Sequence, residues 1–190
     1  MPPSADLAGI AAALGDDVGR VSCPHMAMVL GSPQELHPAL AAFYSLGASR
    51  NGWMLHRSLP GQGEADRAGL AAAGLDVEGL EAERRFTLSE VPVTEPPDEW
   101  AQPWVPLIEE ALRAGYDAVW WSRFPVGAAG REFEVALEYD RAWDEALAGL
   151  RAVSLCLYVV GALGGEAEAA ERLAEIHDGV LRGPAFTRLR

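Results

Sequence analysis

The chain contains no lysine; all 15 of its Lys-plus-Arg residues are arginine. Arginine usage in a GC-rich genome accounts for the bias, but the chemical consequence stands. A phosphate loop of the G-x-x-x-x-G-K-[ST] type needs the lysine, so none can exist here. A Schiff-base lysine is excluded for the same reason. Cysteine is almost as scarce, with only Cys23 and Cys156, and neither belongs to a C-x-x-C pair. Cys156 lies inside an apolar run and reads as a buried small hydrophobe rather than a nucleophile. A reducing, cytoplasmic compartment without a disulfide is expected.

Long apolar runs are missing too. None approaches the roughly 18 residues of a membrane-spanning helix, so no membrane span is expected. The first residues lack a basic region ahead of an apolar one, so no secretory signal is expected. Positive charge is in short supply: the net charge is −13. That opposes nucleic-acid binding, which needs a basic face to displace phosphate counterions, and docking on an anionic membrane surface. It leaves open a protein partner with a basic patch. Histidines 25, 37, 56 and 177 show no metal-ligand spacing, so neither a metal nor a cofactor is expected.

What is present is ample apolar material. At 190 residues and 49% apolar composition, the chain can build one proper core. Residues 1–19 read as an Ala-rich N-terminal extension and residues 20–190 as one domain. Residues 116–124 (YDAVWWSRF) and 152–160 (AVSLCLYVV) are apolar nearly throughout instead of alternating. That is the signature of strands in a parallel sheet covered on both sides. Between them, residues 131–150 carry helical periodicity, with Phe133, Ala136, Leu137, Trp143, Leu147 and Leu150 on one face. Strand, helix, strand in one sheet is a right-handed crossover unit.

The rest repeats this rhythm. Further strands are expected at 21–30, 53–57, 85–88 and 185–189. Ser32, Pro33 and Glu35 spell an N-cap, a first-turn proline and a capping box for a helix reaching about residue 46. Helices follow at 62–73, 76–82, 104–114 and 166–176, the last exposed-looking. In the 104–114 helix, Trp104, Leu107, Ile108 and Ala111 are expected inward. Residues 89–97, with three prolines, read as a loop. The PGQGE loop at 60–64 resembles a phosphate cradle but has neither a lysine nor G-x-G-x-x-G spacing, and reads better as a helix N-terminus with flexible glycines. The pattern predicts a single α/β domain, three-layer and doubly wound, with a mainly parallel sheet of five or six strands.

Asp140 breaks the pattern of the central helix, because it falls inside the apolar stripe between Phe133 and Leu147. A carboxylate there must find a partner or stay protonated. Two readings stand: a place at the ragged edge of the stripe, meeting water or backbone, or a reach across to a basic group such as Arg123.

The residues also resemble a known family, the MEDS type of sensory domain, named after methanogens, methylotrophs and the dichloromethane-metabolism repressor. The likeness lies in His25-Met26-Ala27-Met28-Val29, in residues 74–80 (GLDVEGL), and in Gly115-Tyr116 before the aromatic strand. It continues in Leu137-Glu138-Tyr139-Asp140 and Leu155-Cys156-Leu157-Tyr158, with His177 after the last helix, and covers residues 20–182. The resemblance implies a fold like the RecA and circadian-clock ATPase group without the nucleotide-binding loop. It also implies a role in sensing, with small organic ligands and signalling-protein neighbours. The chain departs from the family at Ser122-Arg123-Phe124, where an acidic residue is frequent, and at Tyr158-Val159, where Tyr-Asp is common.

Three function classes are open to such a chain. A ligand-sensing domain would place its site beyond the carboxyl ends of the strands, drawing on Ser32, His56, Arg57, Trp121, Arg123 and Tyr158, with Asp140 as the partner of Arg123. Arg57 and Arg123 would grip an anionic group and Trp121 would supply an apolar wall. A protein-interaction or scaffold module would present Trp100 and Trp104 to a partner, with a homodimer also open. An enzyme is disfavoured: there is no nucleophile elbow and no credible acid/base pair, and Ser122, His56 and Asp140 make a triad only on paper. No catalytic residue is expected.

Overall fold

The first strand explains the architecture. β1 (His25–Leu30) is buried at every position, with Met26, Met28 and Leu30 in one core cluster and Ala27 and Val29 in a second. A strand with apolar side chains on both faces needs a layer above and a layer below. The computed structural model describes residues 24–90, 96–123, 126–127, 130–159, 166–183 and 187–188, and it supplies both layers.

After β1 a short 3-10 turn, Pro33–Glu35, leads into α1 (Leu36–Ser49). Then come β2 (Trp53–Ser58), α2 (Gly63–Ala72), α3 (Val77–Ala82) and β3 (Phe86–Glu90). Next are α4 (Pro97–Trp100), α5 (Trp104–Arg113), β4 (Val119–Arg123) and the two-residue β5 (Val126–Gly127). The chain continues through α6 (Gly130–Leu147), β6 (Ala152–Val159), α7 (Glu166–Leu173), β7 (Gly179–Arg182) and β8 (Thr187–Arg188). The sheet runs β3-β2-β4-β6-β1-β7-β8, with β5 beside β6. The six strands from β3 to β7 in that order are parallel. The terminal β8 is antiparallel. This is the predicted doubly wound α/β fold.

Period-two alternation assigns each strand residue to one layer. α1, α2 and α3 cover the face holding Met54, Trp120 and Leu155. α4, α5, α6 and α7 cover the face holding Leu55, Trp121, Cys156 and Tyr158. The neighbouring tryptophans of β4 thus part company. Trp120 packs on Phe43 of α1, with ring centroids 5.1 Å apart. Trp121 stacks on Trp143 of α6, at 4.0 Å and 23° between planes. Glycine makes the room Trp120 needs: a Cβ on Gly52 would lie 2.4 Å from its Cδ1, and one on Gly47 2.6 Å from its Cγ.

Several local expectations need correction. Ser32 gives no side-chain cap to the helix turn it precedes; the Glu35 carboxylate instead accepts from Gly31 N at 3.0 Å. The capping box does not form, because the 3-10 turn shifts the helix start and Pro38, without an N–H, falls in the first turn of α1. Leu107 is 43% exposed rather than inward, since the buried stripe of α5 is Trp104, Ile108 and Ala111. The 166–176 helix ends at Leu173 and buries Ala169, Ala170 and Leu173. Ser89 and Glu90 belong to β3 and residues 97–100 to α4; of the loop at 89–97, residues 91–95 lie outside the described residues. Two strands, β5 and β7, were not anticipated. The expected strand at 185–189 is seen as β8, Thr187–Arg188. The expected extension at 1–19 and Cys23 also lie outside the described residues.

Candidate functional site

The stretch that looked like a phosphate cradle is filled by the protein itself. Gly61 N and Gly63 N donate to the Glu90 carboxylate at 2.9 and 2.6 Å. An internal anion thus takes the backbone donors ahead of α2. After β1, where a phosphate loop would lie between strand and helix, the Gly31 amide is likewise taken by Glu35. With no lysine in the chain, neither place fits a nucleotide phosphate.

The residues picked out for a ligand site separate by face. Ser32 is half-buried after β1, and no polar contact joins it to the others. His56 is buried on the α1 face. Its Nδ1 lies 3.1 Å from Tyr44 Oη and its Nε2 3.5 Å from Asp66 Oδ2. His37 Nε2 approaches Asp66 Oδ1 at 3.1 Å. Burial works against the Asp66 anion, but His37, His56 and Ser58 together hold its carboxyl well below the usual range.

Arg57, Trp121, Arg123, Asp140 and Tyr158 share the other face, Arg57 against Trp100 and Trp104 and the others at α6. Arg57 and Arg123 are register partners on β2 and β4. The Arg57 guanidinium lies over Trp100 and Trp104, 5.0 and 4.9 Å from their ring centroids. Trp100 and Trp104 are core residues, 3% and 9% exposed. They do not form the exposed partner patch that a scaffold reading asked of them.

Asp140 is the hub. Its side chain is 1% exposed, and Arg123 Nη2 donates to Oδ1 at 2.8 Å. This decides between the two sequence readings in favour of the reach to Arg123. Tyr158 Oη donates to Oδ2, and the Cys156 thiol lies 3.3 Å from Oδ1. Burial opposes the Asp140 charge, yet Arg123, His177 and His25 hold its carboxyl well below the usual range. Burial likewise opposes the Arg123 cation, and Asp140 outweighs it and raises the pKa. Burial, then Asp140, push the Tyr158 hydroxyl and the Cys156 thiol up, so both keep their protons and can donate.

Sequence reasoning missed the other half of this network. His177 Nε2 lies 3.3 Å from Asp140 Oδ2. Its Nδ1 is 2.9 Å from the Leu173 carbonyl. His25 Nε2 lies 3.3 Å from Cys156 Sγ, and its Nδ1 is 3.6 Å from Asp144 Oδ1. Burial lowers the His25 pKa despite Asp144. The sequence signals were Asp140 on the apolar stripe and the place of His25, Cys156 and His177 in the stretches that carry the family likeness.

Comparisons with known proteins fit this frame. The profile of MEDS, the methanogen/methylotroph, DcmR sensory domain, matches residues 24–178. The chain belongs to the MEDS family. Among solved structures, a KaiC-like protein from the hyperthermophilic archaeon Pyrococcus horikoshii is similar at a TM-score of 0.53 and 16% identity. The match covers 85% of this chain and 72% of that one, and it supports the RecA-like fold alone. No curated protein sequence matches the chain. Asp140, reaching in from α6, puts a carboxylate against Arg123 and Tyr158. Among the described residues, no helix is long and apolar enough to cross a membrane.

Proposed function

We propose that this chain is a non-enzymatic sensory domain that binds a small organic ligand carrying an anionic or hydrogen-bond-accepting group. The recognition site lies on the α6 face, at the carboxyl ends of β2, β4 and β6. The observation that carries this reading is the contact of Arg123 with Tyr158, and Arg57 in register beside Arg123, near the last positions of three adjacent strands on one face. Open α/β sheets bind ligands at these strand ends.

The chemistry suits a switch. A buried ion pair adds little net stability over apolar residues of equal volume, so Arg123 and Asp140 are poor candidates for a purely structural role. A ligand acceptor group that engages Arg123 and Tyr158 competes directly with Asp140. Because Asp140 stands on α6, that competition acts on the position of a whole helix, and an effector reading α6 would sense it. Such a ligand shifts the balance only by its differential affinity for the two arrangements.

Native mass spectrometry of the full chain, beside the same sample denatured, tests the reading. A small-molecule mass that vanishes on denaturation supports it. A bare mass that stays bare after incubation with small carboxylates and alcohols contradicts it and moves the weight to an interaction module that senses a protein partner.

A further inference from the structure

His25, Asp140, Cys156 and His177 come from β1, α6, β6 and the turn after α7. Each is buried, and they offer ligand atoms that all lie within 4.8 Å of one another. The His25 and His177 rings are 4.3 Å apart, centroid to centroid. These are the residue types and the count of a tetrahedral transition-metal site.

The surroundings orient the donors. A backbone carbonyl only accepts, so the Leu173 oxygen, 2.9 Å from His177 Nδ1, fixes the proton there. His177 Nε2 then faces Asp140 Oδ2 at 3.3 Å, carrying either a lone pair or a second proton. It has no hydrogen-bond partner although it is buried. Two lone pairs facing each other in a dry interior repel unless a cation or a proton lies between them. Asp144 stands beside His25 Nδ1 at 3.6 Å and leaves Nε2 facing Cys156 Sγ. Arg123 and Tyr158 brace the Asp140 carboxylate from behind. A carbonyl behind His177 and donors behind the carboxylate are supports of the kind that hold metal ligands in proteins.

We propose that His25 Nε2, His177 Nε2, Cys156 Sγ and one Asp140 oxygen bind a borderline dication of the Zn2+ class. A thiolate and two imidazoles exclude Mg2+ and Ca2+, which take oxygen ligands. Binding replaces the Cys156 S–H bond with a sulfur–metal bond and releases one proton to solvent. With Arg123 paired to the carboxylate, the dication, thiolate, Asp140 and Arg123 carry one net positive charge, and Asp144 beside His25 stands opposite it. This site shares Asp140 with the strand-end site, but its Co2+ test does not depend on the sensing reading.

The test uses the full chain without an affinity tag, stripped with a chelator and titrated with Co2+ under reducing conditions. The expected result is one equivalent bound, with tetrahedral d–d bands and a sulfur-to-cobalt charge-transfer band. Cys156→Ser loses the charge-transfer band, and His177→Gln weakens binding at least about tenfold. His37→Gln, on the opposite face of the sheet, leaves the titration unchanged. A folded wild-type chain that takes up no Co2+, or whose Co2+ spectrum lacks the thiolate band, overturns the proposal. So does a folded Cys156→Ser chain with an unchanged spectrum. The wild-type spectrum decides the matter even where a variant does not fold.

Discussion

The Arg123 guanidinium meets the Asp140 carboxylate at 2.8 Å in a space closed to solvent on both sides. Removing one member of a buried pair strands the other, whereas replacing both with apolar residues removes the problem. Asp140→Ala is therefore expected to destabilise the chain by about 3–5 kcal/mol, and the double change Arg123→Met with Asp140→Leu to recover most of that loss. Urea unfolding of the three chains measures both numbers. An Asp140→Ala loss under about 0.5 kcal/mol, the range of ordinary surface changes, would contradict the pairing.

The stacked rings of Trp121 and Trp143 make a second prediction. Trp143 also donates Nε1–H to Ser154 Oγ at 2.8 Å. Trp143→Ala leaves a large cavity and is expected to destabilise by about 3–5 kcal/mol. Trp143→Phe keeps an aromatic ring against Trp121 but orphans the Ser154 hydroxyl, a loss of about 1 kcal/mol from the bond itself plus a smaller cavity. Denaturant midpoints at constant m-value report the two losses; equal values would sink the stacking argument.

Acid stability isolates the opposite face. Asp66 is held well below the usual carboxylate range by His37 and His56. A folded pKa below the unfolded one, near 3.9, means the ionised group stabilises fully above that value. The stabilisation is lost as pH falls from there toward the folded pKa. Asp66→Asn should therefore be less stable than wild type at neutral pH, with the gap shrinking progressively below about pH 4. A gap that stays constant between neutral and acid pH would show that Asp66 is not ionised against the two histidines.

Gly52 has no room for a side chain, since its Cβ would sit 2.4 Å from Trp120 and 2.7 Å from the Gly47 carbonyl. Gly52→Ala is expected to destabilise by about 1–3 kcal/mol through overpacking. Thermal unfolding measures it, and an unchanged midpoint would mean that Trp120 moves aside freely.

The major strands were legible because a strand buried on both faces must be apolar throughout, as β4 and β6 are. β7 escaped because its four residues follow a polar stretch and carry Gly179 and Arg182 at their ends. Leu107 misled because a ten-residue helix pointing a leucine to solvent breaks no rule of periodicity. At the site, Asp140 announced itself by violating the stripe of its own helix. His25 and Cys156 did not: they lie 131 positions apart, and no spacing rule reaches across a sheet whose order departs from chain order. Arg57 and Arg123 were readable as strand-end cations, but not that Trp100 and Trp104 would enclose the first.

The central claim is that Arg123 and Tyr158, at the strand ends beneath α6, receive the ligand in competition with Asp140. Native mass spectrometry of wild type against the Arg123→Met, Asp140→Leu chain tests it most directly. The account predicts a small organic adduct on wild type and a folded double variant at its bare mass. A folded double variant that keeps the same adduct would contradict the claim.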